Sequence, residues 1–211
     1  MKIICLDVID STQTYLIDAI SDERLSAPIA VSAKIQYQGK GSRGNDWISK
    51  KGNLFLSFAI PVNMLPQDLK IESSSIYLSY ILKEVLQELG SDVWLKWPND
   101  FYLDDKKIGG TLVQFKKDIL ICGIGLNIKC APEGFSLLDI QCSKTEIINS
   151  YFTKLEKKLS WKYIFSKYRL EFDKSKIYFS HFRNHLISLK DASLLDDGSI
   201  LCEGERMFSI R

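Results

Sequence analysis

Apolar residues recur along the first half of the chain with periods that alternate between those of strands and helices. Three short runs rich in Ile, Val and Leu predict strands at residues 2–6, 29–35 and 53–60. Residues 12–20 predict a helix with Ser11 as its N-cap. The clearest helical stripe covers residues 75–89, and Gly90 suits the position that follows a helix C-terminus. The first half therefore predicts strands and helices in alternation.

The centre of the chain predicts more strands. A short strand at residues 93–96 precedes two longer ones at 107–115 and 118–126, with a tight connection at the two lysines between them. Ser143 and Glu146 have the spacing of a capping box, which predicts the start of a helix.

The last third of the chain begins with a basic helical stretch. Residues 154–176 predict a helix that carries an aromatic stripe on one side and solvated lysines on the other. Short strands are predicted around the turn at Asp197-Gly198. We therefore predict a mixed α+β domain over residues 1–180 and a short β segment over residues 181–211.

Composition narrows the class of protein. A formal net charge of +2 over 211 residues is too small to require a nucleic-acid partner. No apolar run of about 18 residues appears, and the N-terminus lacks a signal-peptide pattern, so we expect a cytoplasmic protein with no membrane partner. The five cysteines form no C-x-x-C pair, which favours buried free thiols over a zinc site or disulfides.

A loop rich in glycine, called the glycine loop below, reads GKGSRGNDW over residues 39–47. Closely spaced glycines let backbone N–H groups approach a ligand, and Lys40 and Arg43 supply cations suited to phosphate or carboxylate. Trp47 can cover an apolar ring. The loop is not a Walker loop, and by itself it could equally be a flexible basic surface loop.

Two segments in the centre of the chain place charged residues at or beside predicted turns. Residues 96–100 read KWPND, and residues 106–110 read KKIGG. Asn99 and Asp100 favour a turn, and the Asp100 carboxylate suits a magnesium ion or a cationic partner. Lys107 precedes two glycines, where its ammonium could meet a ligand carboxylate, whereas the lysine before it is expected to be an ordinary surface residue.

A third segment places glycines inside an apolar strand, since residues 122–128 read CGIGLNI. Glycine weakens a strand unless something needs the space, and an adenine or ribose lying against the backbone would need it. Asn127 could then bind a polar edge of that ligand. A β-bulge would explain the same glycines.

Taken in order, five segments of residues 1–130 resemble the biotin protein ligase family: DST at 10–12, the glycine loop, KWPND at 96–100, KIGG at 107–110 and GIGLN at 123–127. The resemblance implies an α+β fold: a mainly antiparallel sheet with flanking helices, like class II aminoacyl-tRNA synthetases, and a truncated SH3-like β tail. It implies an ATP-dependent, AMP-forming ligase that makes biotinyl-5′-AMP with Mg²⁺. Biotin would pass to the biotin carboxyl carrier protein of acetyl-CoA carboxylase or a related carboxylase, and homodimer formation is left open.

The resemblance also implies roles for individual residues. Biotin contacts are implied for Ser11, Thr12, Gln13, Gln36, Lys40, Gly41, Ser42, Lys107, Gly109 and Gly110. Nucleotide contacts are implied for Trp47, Asn99, Asp100, Gly125 and Asn127. The catalytic cations would be Lys107, Lys40 and Arg43, and Asp100 would be the metal ligand.

The chain departs from the family pattern in three places. The family's glycine loop commonly reads G-R-G-R-x-G-R-x-W, whereas here Ser42 and Asn45 replace arginines and Asp46 adds a negative charge. We therefore expect weaker retention of the adenylate. The pattern begins at Asp10, which leaves no room for a DNA-binding helix-turn-helix, so no repressor function is expected. The C-terminal segment is shorter than the usual SH3-like module.

Two other functions stay open at this point. A lipoate ligase would use the same adenylation chemistry, although KWPND argues against it, and a non-catalytic module could bind biotin or a nucleotide. His181 and His185 have a spacing that suits a metal on a helix, but without a third ligand they are expected to be a surface pair.

Overall fold

The computed structural model describes residues 1–42, 45–182 and 185–209. Its α-helices are α1 (Thr12–Ser21), α2 (Ser74–Glu88), α3 (Lys144–Glu156) and α4 (Trp161–Glu171). The longer strands are β1 (Lys2–Ile9), β2 (Ile29–Gln36), β5 (Leu54–Pro61), β8 (Lys106–Lys116) and β9 (Ile119–Leu126). The short strands are β3 (Gly39–Lys40), β4 (Asp46–Trp47), β6 (Trp94–Lys96), β7 (Asp100–Leu103), β10 (Phe179–Phe182), β11 (His185–Ser188), β12 (Ser193–Leu194), β13 (Ile200–Cys202) and β14 (Glu205–Met207).

A seven-stranded sheet with the order β1-β2-β5-β9-β8-β7-β6 forms the centre of the molecule. β1 and β2 are parallel, and each later neighbour pair is antiparallel. This arrangement confirms the predicted α+β class with a mainly antiparallel sheet. None of the helices in the described ranges has the length and apolar character needed to cross a membrane.

Alternating side chains along the strands bury both faces of the sheet. In β5, Leu56 and Phe58 belong to the main core on the side of α2, whereas Ala59 belongs to a smaller cluster with Leu16 of α1. α2 packs against the sheet and is also covered by α3 and α4. This double covering explains why most residues of α2 are buried.

Several predicted elements are confirmed. Gly90 follows α2 with φ +102°, the left-handed conformation that ends a helix. Ser143 and Glu146 form the predicted capping box of α3. The β8–β9 hairpin is also confirmed, although its tight connection lies at residues 117–118, one residue later than predicted, with Lys117 at φ +51°.

The single helix predicted over residues 154–176 is wrong. α3 ends at Glu156, and α4 begins after Ser160, whose side chain accepts a hydrogen bond from the Tyr163 N–H. Between them Lys158 has φ +48°, which interrupts the helical backbone. A 3-10 helix, Phe172–Ile177, follows α4. The aromatic stripe itself is real, since Trp161 and Tyr168 are buried in the main core.

The C-terminal residues pack onto the same core as the sheet. β12, β13 and β14 form the small antiparallel sheet that was predicted around Asp197. Ile200, Cys202 and Met207 belong to the main core cluster. The segment therefore contributes buried apolar side chains to the core that covers the seven-stranded sheet.

The predicted burial of the cysteines is confirmed for two of the five and wrong for Cys5. All five thiols are free. Cys122 and Cys202 are buried, but Cys5 is exposed because it lies on the edge strand β1. His181 and His185 lie on the β10–β11 hairpin and are exposed, which confirms a surface pair.

Candidate active site

A cleft on the α1 side of the sheet collects most of the predicted site residues. It encloses about 510 Å³, including space open to solvent. The predicted residues that line it are Ser11, Thr12, Gln13, Gln36, Lys40, Gly41, Ser42, Trp47, Asn99, Asp100, Lys107, Gly110 and Gly125. Gly109 and Asn127 do not line it, and Arg43 falls outside the described residues.

One wall of the cleft is a buried polar network at the start of α1. Ser11 caps the helix by accepting a hydrogen bond from the Thr14 N–H. The Thr12 N–H and hydroxyl both donate to Oε1 of Gln36, at 2.7 and 2.9 Å. The Thr12 hydroxyl also lies 2.9 Å from that of Ser57. Such a preorganised wall can position a compact polar group such as a ureido ring.

Gln13 extends this wall and holds one acceptor without a partner. Its side-chain amide N–H donates to Oε1 of Gln114 at 2.9 Å. Its own Oε1 is buried and has no hydrogen-bond partner among the described residues. That oxygen lies against Gly123, where an added Cβ would come within 2.7 Å of it. Buried unpaired acceptors are costly, which suits an atom that a bound ligand would satisfy.

Glycines form the flat floor of the cleft. Gly123 and Gly125 alternate along β9 so that both face the cleft, and Gly110 of β8 pairs directly with Gly125. The Trp47 indole lies on Gly125, since a Cβ there would be 2.6 Å from the indole Cε2. Gly109 faces the other way and allows a close backbone approach, because its Cβ would meet the Gly125 carbonyl at 2.6 Å. The strand glycines therefore make room for a ring and for Trp47.

Adding one methyl group to this floor is expected to weaken ligand binding. In the variant Gly125→Ala, the Trp47 indole must move, and overpacking of this kind costs roughly 1–3 kcal/mol, or about tenfold or more in affinity. Calorimetric titration with biotin, the ligand that the sequence resemblance implies, and thermal melting of the same samples check this. In a double-mutant cycle, Trp47→Ala should add little further loss to Gly125→Ala. If the two losses of binding free energy were fully additive, the assigned contact between Trp47 and Gly125 would be contradicted.

A charged group is formed by three side chains, of which Asp100 and Lys107 line the cleft. The Lys107 ammonium lies 2.5 Å from Oδ1 of Asp100, and the Lys96 ammonium lies 3.7 Å from Oδ2. Burial acts to raise the pKa of the Asp100 carboxyl, but the charges of Lys107 and Lys96 outweigh it, so its pKa is below the ordinary value. Asp100 is therefore ionised at neutral pH and holds Lys107 at the cleft.

Acid titration is expected to reveal the contribution of Asp100 to stability. Its folded-state pKa lies below the ordinary value of 3.8, so its ion pairs stabilise the fold above that pH and are lost as the pH falls through the lowered value. The difference in unfolding free energy between wild type and Asp100→Asn should therefore be constant near neutrality and shrink below pH about 4. Denaturant titrations across pH measure it, and a difference that does not change with pH would contradict the pairing.

Asn99 and Asp100 have different surroundings. The Asn99 amide donates to the Thr111 carbonyl, and the Thr111 N–H donates back to the Asn99 carbonyl at 3.0 Å. Asn99 thus fixes the turn to β8. Direct magnesium binding by Asp100 stays a prediction that its two ammonium neighbours oppose, since both oxygens already face cations. No cluster of three or more His, Cys, Asp or Glu side chains that could hold a metal occurs in the described part of the chain.

Asn127 lines a second, smaller cleft. This cleft encloses about 300 Å³ and is lined in part by Trp47, Asn127 and Phe135. Oδ1 of Asn127 accepts a hydrogen bond from the Asn53 amide at 3.3 Å, so the side chain is held in place. Trp47 borders both clefts. A ligand that spans the two clefts would pass beside its indole ring.

The structure adds residues that the sequence did not single out: Ser57, Thr111, Leu112, Gly123 and Ile124. Ser57 could have been found from the sequence, because it is the one hydroxyl residue in the otherwise apolar strand β5. Gly123 belongs to a motif whose glycines were predicted to make room for a ligand, but it was not named as a contact residue. Ile124 belongs to the same motif but was given no role, whereas Thr111 and Leu112 had no signal, since their position depends on how β8 and β9 pair.

The region of the chain that forms this cleft matches a known protein family. The model of the Biotin/lipoate A/B protein ligase family matches residues 5–128. The bifunctional ligase/repressor BirA of Escherichia coli is 38% identical over 130 residues, which cover 58% of this chain and 39% of BirA. The matched region thus spans about two fifths of the length of that curated relative.

Solved structures match over nearly the whole chain. The biotin acetyl coenzyme A carboxylase synthetase of Helicobacter pylori, crystallised with biotinylated ATP, is 44% identical with a TM-score of 0.94 and covers 98% of this chain and 99% of its own. The biotin protein ligase of Aquifex aeolicus, in complex with biotin and ATP, has a TM-score of 0.76 and covers 100% and 96%. At 23% identity, the second match supports the fold alone.

Proposed function

Because the chain belongs to the biotin/lipoate A/B protein ligase family, we propose that it activates biotin with ATP to biotinyl-5′-AMP and transfers biotin to a lysine of a biotin carboxyl carrier protein. The observation that carries this proposal is the arrangement of the cleft. A buried network of hydroxyl and amide groups lies along one wall, and the Lys107 ammonium lies at another. Biotin has the matching shape, with a polar ureido ring and a carboxylate at the end of its chain.

The polar wall would bind the ureido end of biotin. Thr12, Gln36 and Ser57 offer hydroxyl and amide groups that are already oriented by one another. The Gln13 Oε1, which has no partner among the described residues, would accept an N–H from the ligand. Binding at this end would direct the biotin carboxylate along the glycine floor toward Lys107, and such positioning supplies much of the catalysis when two substrates are joined.

The adenylation step would depend on placed positive charge. A biotin carboxylate oxygen attacks the α-phosphorus of ATP, a P–O bond forms, and pyrophosphate leaves. Both reactants are anionic, so the ammonium groups of Lys107 and Lys40 would offset their repulsion and stabilise charge in the transition state. Magnesium would enter with ATP as its phosphate complex, because the protein groups at the cleft favour an ion pair over a metal site.

The transfer step would use the carrier's own nucleophile. A neutral lysine amine of the carrier attacks the carbonyl carbon of the mixed anhydride, an amide bond forms, and AMP leaves. The glycine loop lies over the cleft through Lys40, Gly41 and Ser42, where it would shield the anhydride from water. The adenine would lie toward the second cleft, beside Trp47 and Asn127.

Biotin-dependent release of pyrophosphate tests the adenylation step and the choice of substrate together. The purified protein is incubated with ATP, Mg²⁺ and either biotin or lipoate, and pyrophosphate is measured. We expect release with biotin and none above background with lipoate. Release with lipoate alone would identify a lipoate ligase, and binding of biotin without release would identify a non-catalytic binding module.

The unusual glycine loop leads to a prediction about adenylate release. Ser42 lines the cleft where the family commonly has an arginine, and a charged hydrogen bond contributes roughly 1.5–3 kcal/mol. Ser42→Arg is therefore expected to slow dissociation of biotinyl-5′-AMP about tenfold or more in a filter-binding chase. Asn63→Arg adds the same charge at an exposed position outside the cleft and should have no effect. Equal dissociation rates in Ser42→Arg and wild type would contradict the prediction.

The carrier of acetyl-CoA carboxylase is the partner that we propose, since the matching synthetase is named for that carboxylase. Cytoplasmic location, the absence of a nucleic-acid partner, the lack of a repressor function and homodimer formation stay predictions from the sequence.

A further inference from the structure

Lys96 forms an ion pair with Asp100, which lines the cleft, but it has no role in the proposed function above. It is the last residue of β6, and only 6% of its surface is exposed. It does not line the cleft, so it is placed to act on the site through its neighbours. Lysine is almost never fully buried unless its charge is compensated, and the residues around it therefore need explanation.

The Asp100 carboxylate bridges two ammonium groups with its two oxygens. Oδ1 lies 2.5 Å from Lys107 Nζ, and Oδ2 lies 3.7 Å from Lys96 Nζ. Each oxygen thus has its own cation, which fixes the rotation of the carboxylate. The three side chains carry one negative and two positive charges, so Asp100 divides its charge between two ammonium groups.

Aromatic rings surround the Lys96 ammonium on another side. Its Nζ lies 5.7 Å from the Tyr102 ring centroid and 5.9 Å from that of Tyr178. Trp94 packs against both rings, with centroid distances of 5.3 and 5.6 Å. The Trp94 indole N–H donates to the Asp104 carbonyl at 3.0 Å, which holds the cluster in place. Cation–π attraction strengthens when the cation is desolvated, so this aromatic cluster stabilises a charged lysine that is shielded from water.

We propose that Lys96 is a positioning residue for the adenylation step, which orients Asp100 and thereby keeps the Lys107 ammonium directed into the cleft. The proposal rests on the proposed function. Without the Lys96 charge, Asp100 would pair with Lys107 alone, and the group would become neutral. Lys107 would then be held by a full counter-charge at the moment when it has to contact the substrate carboxylate and phosphate.

Two substitutions and a matched control test the proposal in the full-length protein. Lys96→Met removes the charge and keeps the length of the side chain, and Lys96→Arg restores the charge. Lys174→Met is the same chemical change at an exposed lysine that lies 5.9 Å from the Trp94 ring but forms no ion pair with Asp100. The readouts are the single-turnover rate of biotinyl-5′-AMP formation, the biotin affinity from calorimetry, and the melting temperature.

Lys96→Met is expected to lower the adenylation rate by about tenfold to 100-fold, because misplaced catalytic groups cost rates of that order. Biotin affinity should change much less, since the ureido wall is untouched. Lys96→Arg should recover most of the rate, and Lys174→Met should match wild type. A wild-type rate in Lys96→Met, or an equal loss in Lys174→Met, would overturn the proposal.

A second readout separates this proposal from the proposed function. Labelling of Lys107 by an amine-reactive reagent, followed by peptide mass spectrometry, needs no turnover. In Lys96→Met, tighter pairing with Asp100 should slow the labelling of Lys107 relative to wild type and to Lys174→Met. Unchanged labelling overturns the positioning role. If wild type makes no biotinyl-5′-AMP, the proposed function fails while the labelling result still decides the role of Lys96.

Discussion

Replacement of Lys107 by alanine is expected to slow biotinyl-5′-AMP formation by about 1000-fold while the protein stays folded. Lys107 carries the one ammonium that both lines the cleft and pairs with Asp100 among the described residues. Loss of one group that stabilises transition-state charge costs about 100-fold to 1000-fold in kcat. Because the substrates repel each other here, we expect the upper part of that range.

The fold should tolerate this change for a structural reason. The Lys107 side chain is 27% exposed, and Asp100 retains its contact with Lys96 after the substitution. The neighbouring Lys106→Ala is a matched control, because Lys106 is exposed and does not line the cleft. Pyrophosphate release and thermal melting should show a nearly inactive, folded Lys107→Ala and an active Lys106→Ala. Near-normal turnover by Lys107→Ala would contradict the catalytic role proposed for Lys107.

Removal of the residues after 190 is expected to prevent cooperative folding. The deletion takes away Ile200, Cys202 and Met207 from the main core, and full burial of one large apolar side chain contributes roughly 1.5–3 kcal/mol. It also leaves the buried Trp97 indole N–H without the Gly198 carbonyl that it donates to at 2.9 Å. These losses approach the whole stability of a typical domain, which is roughly 5–15 kcal/mol.

A pair of neighbouring substitutions tests the same point in the full chain. Ile200 is fully buried, so Ile200→Ala should lower the free energy of unfolding by about 2–5 kcal/mol. Leu201 is 44% exposed, and Leu201→Ala should change it by no more than about 0.5 kcal/mol. Urea titration measures both. A cooperative, native-like transition in the truncated chain, or equal effects of the two substitutions, would instead favour residues 181–211 as a separable unit.

The predicted division at residues 180 and 181, and the kinship of the tail with an SH3-like module, stay predictions. The contacts of the tail explain why the sequence gives little guidance here. Trp161 and Trp97 donate to the carbonyls of Asp196 and Gly198, and these bonds join residues 35 and 101 positions apart. Local patterns of apolar and polar residues contain no information on such pairs.

Sequence patterns correctly predicted the elements whose structure depends on residues close together in the chain. The stripe of α2, the capping box of α3 and the β8–β9 hairpin each depend on residues a few positions apart, and each was predicted. The break between α3 and α4 was missed because the Lys-rich stretch continues across it. Ser160, which caps α4, was the available signal at that point.

The site followed the same rule. Motifs that bring their own turn, such as Asn99 and Asp100, were recognised from sequence and lie at the cleft. Partners from distant parts of the chain were not recognised from the sequence. Examples are Tyr178, whose ring lies near the Lys96 ammonium, and Ser57, whose hydroxyl contacts that of Thr12. The chemistry of individual residues was therefore readable in the sequence, whereas the contacts that orient them required the fold.

The intact mass of a carrier domain after incubation with this protein, biotin, ATP and Mg²⁺ tests the central claim most directly. We predict that the carrier gains one biotinyl group on its acceptor lysine, that AMP and pyrophosphate form, and that a carrier with that lysine changed to arginine gains nothing. A carrier whose mass stays unchanged with biotin, or changes with lipoate alone, would contradict the assignment of this protein as a biotin ligase.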